Sequence, residues 1–294
     1  MHTKTDQKCP VKRAAGSPSA GISRIVAATD FSAASNSAVS RACSLARSHD
    51  ARLALIHVVS EDISGELIDT ARNTLARTAA EFGCAQADSH VAAGKAAREI
   101  AKAAEALDAD MVVLGAHGEH WSKDLFTGST AEAVADICER PVLMVRYRPA
   151  EPYRLMLVGM DLTGNAVAAA QFAMRVTPRS RIVIAHVAIV LGENLLRING
   201  VSEQEVDQLR HTQVVELRPK VEMGAEQFGA ELTATIVESG HVELRLAMIA
   251  ADIGADLLVV GNRRRSKLER SLLGSVTRSS IQRSCCDVLI VRTT

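Results

Sequence analysis

The chain has 294 residues, with 34 basic and 34 acidic side chains, and hydrophobic residues make up 47% of it. This balance is typical of a globular protein of about two domains and excludes disorder as its dominant state. A formal net charge of zero and an aromatic content of 3% argue against nucleic-acid binding. No apolar run reaches the ~18 residues that a membrane-spanning helix needs.

The N-terminal segment 1–21 is polar and slightly basic, and it lacks the apolar core of a secretory signal. We predict a disordered tail there and a cytoplasmic location. None of the six cysteines forms a CxxC pair, so zinc-ribbon and thioredoxin spacings are absent. Adjacent Cys285 and Cys286 are interpreted as core or surface thiols, with a redox pair as the alternative.

Short apolar runs alternate with helical patterns from residue 24 onwards. In chain order, the first half has predicted strands at 24–31, 53–59, 88–92, 110–115 and 141–146, and predicted helices at 35–49, 65–82, 95–107 and 131–138. The runs are rich in Val, Ile and Leu without polar alternation, as in strands buried on both faces of a parallel sheet. Alternating strands and helices predict right-handed βαβ units.

The second half repeats the first. Runs at 154–162, 181–188, 232–237, 256–261 and 287–292 match the five earlier strands in the same order, for example DLLVVG with DMVVLG. Such repetition indicates an internal duplication. The segment between the two halves reads YRPAEPY. Its two prolines disfavour both a helix and a strand there, which indicates a linker. We predict units at 22–148 and 154–294 with a linker at 149–153, each an α/β, doubly wound, parallel five-stranded sheet.

A glycine-spaced stretch after the fourth strand is the strongest candidate for chemistry. Gly115-Ala-His-Gly118 is followed, after nine intervening residues, by Gly128-Ser129, which opens a helix. Glycine allows close backbone approach, and helix N-termini favour anions. Ser129 with Glu132 fits a capping box equally well, so an anion site and a helix cap both stay open. The stretch is neither a Walker A loop nor a dinucleotide fingerprint.

These residues resemble a known family. The stretch at 115–118 with Gly128-Ser129 matches the nucleotide motif G-2x-G-9x-G-[S/T] of the universal stress protein family. The segments TDFS at 29–32 and HV at 57–58 are also similar to the strand ends of that family. Since the resemblance covers both halves, from about residue 24 to 292, the chain resembles a tandem universal stress protein.

The resemblance implies a Rossmann-like strand order 3-2-1-4-5 in each unit, with ATP, with or without Mg, bound beyond the carboxyl ends of strands 1 and 4. Asp30 would hold the ribose or adenine side, Val58 would lie beside the adenine, and the last helix would hold the phosphates. Taken alone, Asp30 is more typical of an acid at a helix start. The implied first-half binding residues are Ala28, Thr29, Asp30, Val58, Gly115, His117, Gly118, Gly128, Ser129 and Thr130.

The second half keeps the spacing but has Arg264 at the second glycine position. If that position needs positive φ, an arginine is strained and the loop takes another path. Three interpretations stay open: a degenerate site filled by Arg264, a phosphate site charged by residues 263–265, or a solvated basic loop. The weaker second-half candidates are Asp161, Val187, Gly261, Arg264, Gly274 and Ser275.

These features favour a regulatory ATP-binding module of the stress response that acts by population shift. A slow ATPase, with His117, Glu119 and Asp124 as candidates near the phosphates, is one alternative. A nucleotide-independent scaffold or carrier with another ligand in the second half is the other. No Ser/His/Asp or Cys/His grouping nominates a catalytic residue, and His117 and His120 are interpreted as loop residues and not as metal ligands.

The resemblance also implies an intra-chain pseudo-dimer through the fifth strand of each unit, at 142–146 and 288–292. Covering these otherwise exposed edges gives a physical reason for the pairing. Two chains would then be able to associate further into a homodimer, and the expected small-molecule partner is an adenine nucleotide.

Overall fold

The structure, a computed structural model, describes residues 21–116, 130–146, 151–263 and 273–293. The predicted tail therefore lies outside the described residues apart from Gly21. The described elements of the first half match the predicted ones to within a few residues. They are β1 (Arg24–Ala28), α1 (Ala33–His49), β2 (Arg52–Val59), α2 (Gly65–Glu81), β3 (Asp88–Ala93), α3 (Ala96–Ala106), β4 (Met111–Gly115), α4 (Thr130–Ile137) and β5 (Val142–Val145).

The second half repeats this order with one addition, because two helices lie between its second and third strands where the repeat predicts one. The extra helix, α6, has only six residues and buries none of them, so it is too short to show a helical repeat in the sequence. The elements are β6 (Leu155–Gly159), α5 (Gly164–Val176), β7 (Arg181–Ala188), α6 (Glu193–Ile198), α7 (Glu203–Ala225), a 3₁₀ turn (Glu226–Glu231), β8 (Leu232–Ser239), α8 (Val242–Asp252), β9 (Leu257–Arg263), α9 (Ser275–Arg283) and β10 (Asp287–Thr293).

The strands form one ten-stranded sheet in the order β3-β2-β1-β4-β5-β10-β9-β6-β7-β8. Neighbouring strands within each half are parallel. Counted from the start of each half, the strand order is 3-2-1-4-5, as expected. The predicted α/β, doubly wound fold is confirmed, and the two five-stranded sheets are continuous with each other.

Both faces of the sheet are buried, which explains the unbroken apolar runs. In β1, Ile25 and Ala27 join one hydrophobic layer, which contains residues of α1, α2, α5 and α7. Val26 and Ala28 join the opposite layer, with residues of α3, α4, α8 and α9. Because successive side chains of a strand point to opposite faces, burial on both faces removes any alternation of polarity.

The seam between the halves is an antiparallel pair formed by β5 and β10. Leu143 pairs with Leu289, and Met144 pairs with Val288. Each of these strands has a parallel neighbour on its other side. The pairing therefore satisfies the backbone groups that each half alone would leave exposed at a sheet edge.

Two arginines at equivalent positions cross the seam reciprocally. Arg146, directly after β5, donates from Nη2 to the carbonyl of Ile281 in α9. Arg292, in β10, donates from Nη2 to the carbonyl of Ala135 in α4 at 3.1 Å. Both carbonyls lie in the last turn of their helix, where a cation is favourable. Each half thus stabilises the last helix of the other.

A buried polar cluster fixes the same seam. Asp287, only 2% exposed, accepts hydrogen bonds from the Tyr153 hydroxyl at 2.6 Å and from the Arg146 amide at 2.8 Å. Arg41 of α1 places its Nε 3.3 Å from the same carboxylate and stacks 4.1 Å above the centre of the Tyr153 ring. Burial raises the pKa of the Tyr153 phenol, and the Asp287 charge raises it further. The cluster therefore joins both halves through the segment between them.

Replacing Asp287 with Asn should lower the free energy of unfolding by about 3 kcal/mol, because the buried Arg41 guanidinium loses this counter-charge. The control is Asp69→Asn, since Asp69 pairs with Arg72 on an exposed helix face and should cost less than about 1 kcal/mol. Urea unfolding at pH 7, followed by circular dichroism, compares the two variants. Equal losses would show that the cluster does not hold the seam.

Candidate functional site

The carboxyl ends of β1, β2 and β4 meet at one edge of the first-half sheet. Ala28 pairs with Ile56, and Ala27 pairs with Val113, so the residues that follow these strands are neighbours. The strand order reverses at β1, which has β2 on one side and β4 on the other. Ligands of open α/β sheets bind at such a switch point.

We call this edge, with the start of α4, the first-half cleft. Its described candidate residues are Ala28, Thr29, Asp30, Val58, Gly115 and Thr130. Asp30 and Thr130 are exposed, whereas Val58 and Gly115 are half-buried. The remaining first-half candidates lie outside the described residues: His117, Gly118, Gly128 and Ser129, together with Glu119, His120 and Asp124.

Hydrogen bonds hold the loop between β1 and α1. Asp30 Oδ1 accepts from the Ser32 amide at 3.0 Å and from the Ser32 hydroxyl at 2.5 Å. Ser32 in turn caps α1, since its Oγ accepts from the Ser35 amide at 3.2 Å. Buried Thr29 places its hydroxyl 2.9 Å from that of Ser35. Asp30 thus supports a helix start, as its sequence position predicts, and its exposed carboxylate is fixed in orientation.

The histidine at the end of β2 also holds this loop. His57 Nδ1 lies 2.8 Å from the Thr29 carbonyl, so Nδ1 carries the proton and donates. The ring packs against Phe31 with the ring centres 4.4 Å apart. These contacts give His57 a packing and hydrogen-bonding role. They leave the neighbouring Val58 half-buried at the cleft.

The second half reproduces this loop in different residues. Asp161 Oδ1 accepts from the Thr163 amide at 3.0 Å and from its hydroxyl at 2.6 Å. His186 Nδ1 lies 2.7 Å from the Met160 carbonyl. Val187 is buried at 6% exposure, whereas its first-half counterpart is half-buried. The equivalent cleft therefore retains its acid and its histidine.

The two halves diverge where the fourth strand of each ends. In the first half β4 stops at Gly115. In the second half β9 continues past Gly261 to Arg263, which pairs with Thr293 of β10. The described strand ends thus differ in length, while Arg264 and its counterpart Gly118 lie outside the described residues, so the change of path at Arg264 stays a prediction.

The start of α9 carries a contact that the sequence analysis missed. Ser275, its first residue, donates from Oγ to Oε1 of Glu243 in α8 at 2.9 Å. The pKa of Glu243 is lowered, because its carboxylate accepts hydrogen bonds from its own amide and from Ser275. Gly274 precedes α9 and has open space around it. Aligning the helices after the third strands places Glu243 opposite an alanine, which shows in the sequence that the halves differ there but does not show the contact with Ser275.

Other kinds of site find little support in the described part of the chain. No group of three or more His, Cys, Asp or Glu side chains there could hold a metal ion. None of the helices in these ranges has the length and apolar character needed to span a bilayer. Cys285 is an exposed free thiol and Cys286 a buried one, which agrees with their interpretation as surface and core thiols.

The fold and the strand-end loops define a Rossmann-like α/β protein built from two copies of one unit. The profile of the universal stress protein family matches the chain twice, at residues 21–146 and 152–292. The chain therefore belongs to the universal stress protein family and carries two of its domains in tandem.

Individual relatives agree with this assignment. The chain is similar to universal stress protein YxiE of Bacillus subtilis, with 32% identity over 140 residues that make up 46% of this chain and 93% of that protein. A universal stress protein from Archaeoglobus fulgidus has a similar structure, with a TM-score of 0.64 and 20% identity over 92% of this chain and 98% of that one. A functionally unknown protein from Pseudomonas aeruginosa PAO1 aligns with a TM-score of 0.63 and 15% identity over 92% of each chain. The two structural likenesses bear on the fold alone.

Replacing Gly261 with Ala should destabilise the second half by about 1–3 kcal/mol, because the new Cβ has no room. It would lie 3.2 Å from the backbone oxygen of Asn165, near the start of α5. The control is Gly164→Ala, since no neighbouring atom lies within 4 Å of that Cβ. Thermal unfolding should show a lower Tm for Gly261→Ala alone. An unchanged Tm would mean that α5 does not approach β9 this closely.

Proposed function

We propose that the protein is a regulatory ATP-binding member of its family, with nucleotide in the first-half cleft and an altered site in the second half. The observation that carries the proposal is the register of β1, β2 and β4, which places Asp30, Val58 and Gly115 at or directly after the ends of adjacent strands. An acid that follows β1, an apolar side chain of β2 and a glycine at the end of β4 are thus near one another in the sheet order. These are the groups that a ribose, a purine ring and a phosphate chain would need.

The nucleoside would be bound by the ends of β1 and β2. Asp30 offers an exposed carboxylate that Ser32 holds in place, so it can accept hydrogen bonds from ribose hydroxyls with little loss of freedom. Val58 presents an apolar surface to the adenine. His57 fixes the loop that carries Asp30 through its hydrogen bond to the Thr29 carbonyl.

The phosphates would lie at the end of β4 and the start of α4. Gly115 allows close approach of the backbone, and Thr130 begins a helix whose N-terminal amides favour anions. The motif spacing adds His117, Gly118, Gly128 and Ser129 to this group. A magnesium ion, where present, would neutralise part of the phosphate charge.

Regulation would follow from the packing of α4 against the other half. Glu132 of α4 accepts a hydrogen bond from Gln282 of α9 at 3.1 Å, and Arg292 binds the Ala135 carbonyl at the other end of α4. A ligand at the start of α4 would favour one position of this helix. The surface formed with α9 would then change by population shift, without turnover of ATP.

The seam supports a further part of the proposal, namely an intra-chain pseudo-dimer of units 22–148 and 154–294. The reciprocal contacts of Arg146 and Arg292 are the pattern of an isologous interface, in which each partner uses the same residue position. Light scattering on the purified chain would tell whether two chains associate further.

Calorimetric titration should show about one ATP bound per wild-type chain, and Asp30→Asn should raise its Kd about tenfold. A hydrogen bond to a charged acceptor contributes ~1.5 kcal/mol to the binding free energy. Because ~1.4 kcal/mol corresponds to a tenfold change in Kd, its loss should raise the Kd about tenfold. Asp161→Asn is the matched control, because Asp161 supports its helix start through Thr163 in the same way and should change the Kd less than about twofold. Equal effects of the two variants would refute the assignment to the first half, and no ATP binding by the wild type would refute the proposed function.

A further inference from the structure

The two halves can be aligned residue by residue where the helix after the third strand begins. Gly94 and Gly240 have φ values of +136° and +139°. Their amides donate to the carbonyls of Val59 and Ala188 at 2.9 and 3.0 Å. The backbone is therefore equivalent here, and residues counted from these glycines correspond.

Three positions further on, the first half has Ala97 and the second half has Glu243. Each lies in the first turn of a helix that packs beside the last helix of its half, α3 beside α4 and α8 beside α9. A methyl group in one half is thus replaced by a carboxylate in the other. The difference lies next to the helix start at which the family motif would hold phosphate.

The carboxylate of Glu243 is bound at that helix start. Ser275, the first residue of α9, donates its hydroxyl to Oε1 at 2.9 Å. The first turn of α9 contains no acid of its own, so Glu243 supplies the negative charge that a helix N-terminus favours. Ser279 donates a hydrogen bond to the Glu243 carbonyl and further ties α8 to α9.

We propose that Glu243 is a built-in anion that excludes nucleotide phosphates from the second half and so determines which half binds ATP. This inference rests on the proposed function, because it takes Ser275 as the counterpart of Ser129 in the motif. A phosphate at the start of α9 would need the hydroxyl that Glu243 already holds, and it would meet a like charge at contact distance. The side chain thus acts as a specificity determinant at the start of α9.

The charge on Glu243 is maintained at neutral pH. Hydrogen bonds from its own amide and from Ser275 lower its pKa below the ordinary carboxyl value. Of the neighbouring charged groups, His241 also acts in this direction. An incoming phosphate therefore meets an ionised carboxylate throughout the physiological range.

The test is calorimetric titration of the full chain with ATP. Wild type should bind about one ATP, and Glu243→Ala should bind about two. Glu243→Gln, which removes the charge and keeps the shape, should also gain a second, weaker site. The reciprocal variant Ala97→Glu should weaken first-half binding at least about tenfold. Adding Asp30→Asn to Glu243→Ala should weaken one of the two sites and leave the other unchanged.

The outcomes separate this inference from the proposed function. One ATP in both wild type and Glu243→Ala, or two in wild type, would overturn the role of Glu243 and leave ATP binding intact. No ATP in wild type but one in Glu243→Ala would overturn the first-half site and support the exclusion by Glu243. No ATP in any variant would overturn both. If Glu243→Ala does not fold by circular dichroism, Glu243→Gln decides by the same criteria.

Discussion

The antiparallel pairing of β5 with β10 is the constraint on which the rest of the structure depends. It converts two open sheets into one, makes the hydrophobic layers on both faces continuous, and brings α4 beside α9. Apolar strands alone specify such a register weakly, because Val, Leu and Ile are interchangeable partners. Asp287 adds polar specificity, since its buried carboxylate is satisfied only when Arg41 and Tyr153 reach it from other parts of the chain.

Duplication has kept the scaffold and changed one end of it. The loops that hold Asp30 and Asp161 are built alike, because each also begins a helix that covers the sheet. Because such residues support both the helix start and its packing on the sheet, replacing them would lower the stability of the fold. Glu243 and Ser275 lie at helix starts outside the hydrophobic layers, where a change of side chain leaves the core intact. Divergence therefore appears where the fold tolerates it.

Sequence patterns predicted the strands and their order well, because strands buried on both faces leave unbroken apolar runs. The grouping of Asp30, Val58 and Gly115 in one site came from the resemblance to the family and stays a prediction, although the register of β1, β2 and β4 places all three at or after neighbouring strand ends. Helix α6 was missed because its six residues are fewer than two helical turns, too few for a periodic pattern to be recognised. The contact of Glu243 with Ser275 was missed for another reason: it joins residues 32 positions apart, and only the packing of α8 on α9 brings them together.

The direction of the seam has a consequence for symmetry. Because β5 and β10 run antiparallel, the carboxyl ends of the first-half strands and those of the second-half strands face opposite ends of the sheet. The two clefts thus open towards opposite ends of one continuous sheet. A dimer of identical single-domain chains must show the same surface at both ends. In a single chain that carries both units, the two units need not have the same sequence. Each end of this chain can therefore evolve its own recognition surface, while both units continue to share one sheet.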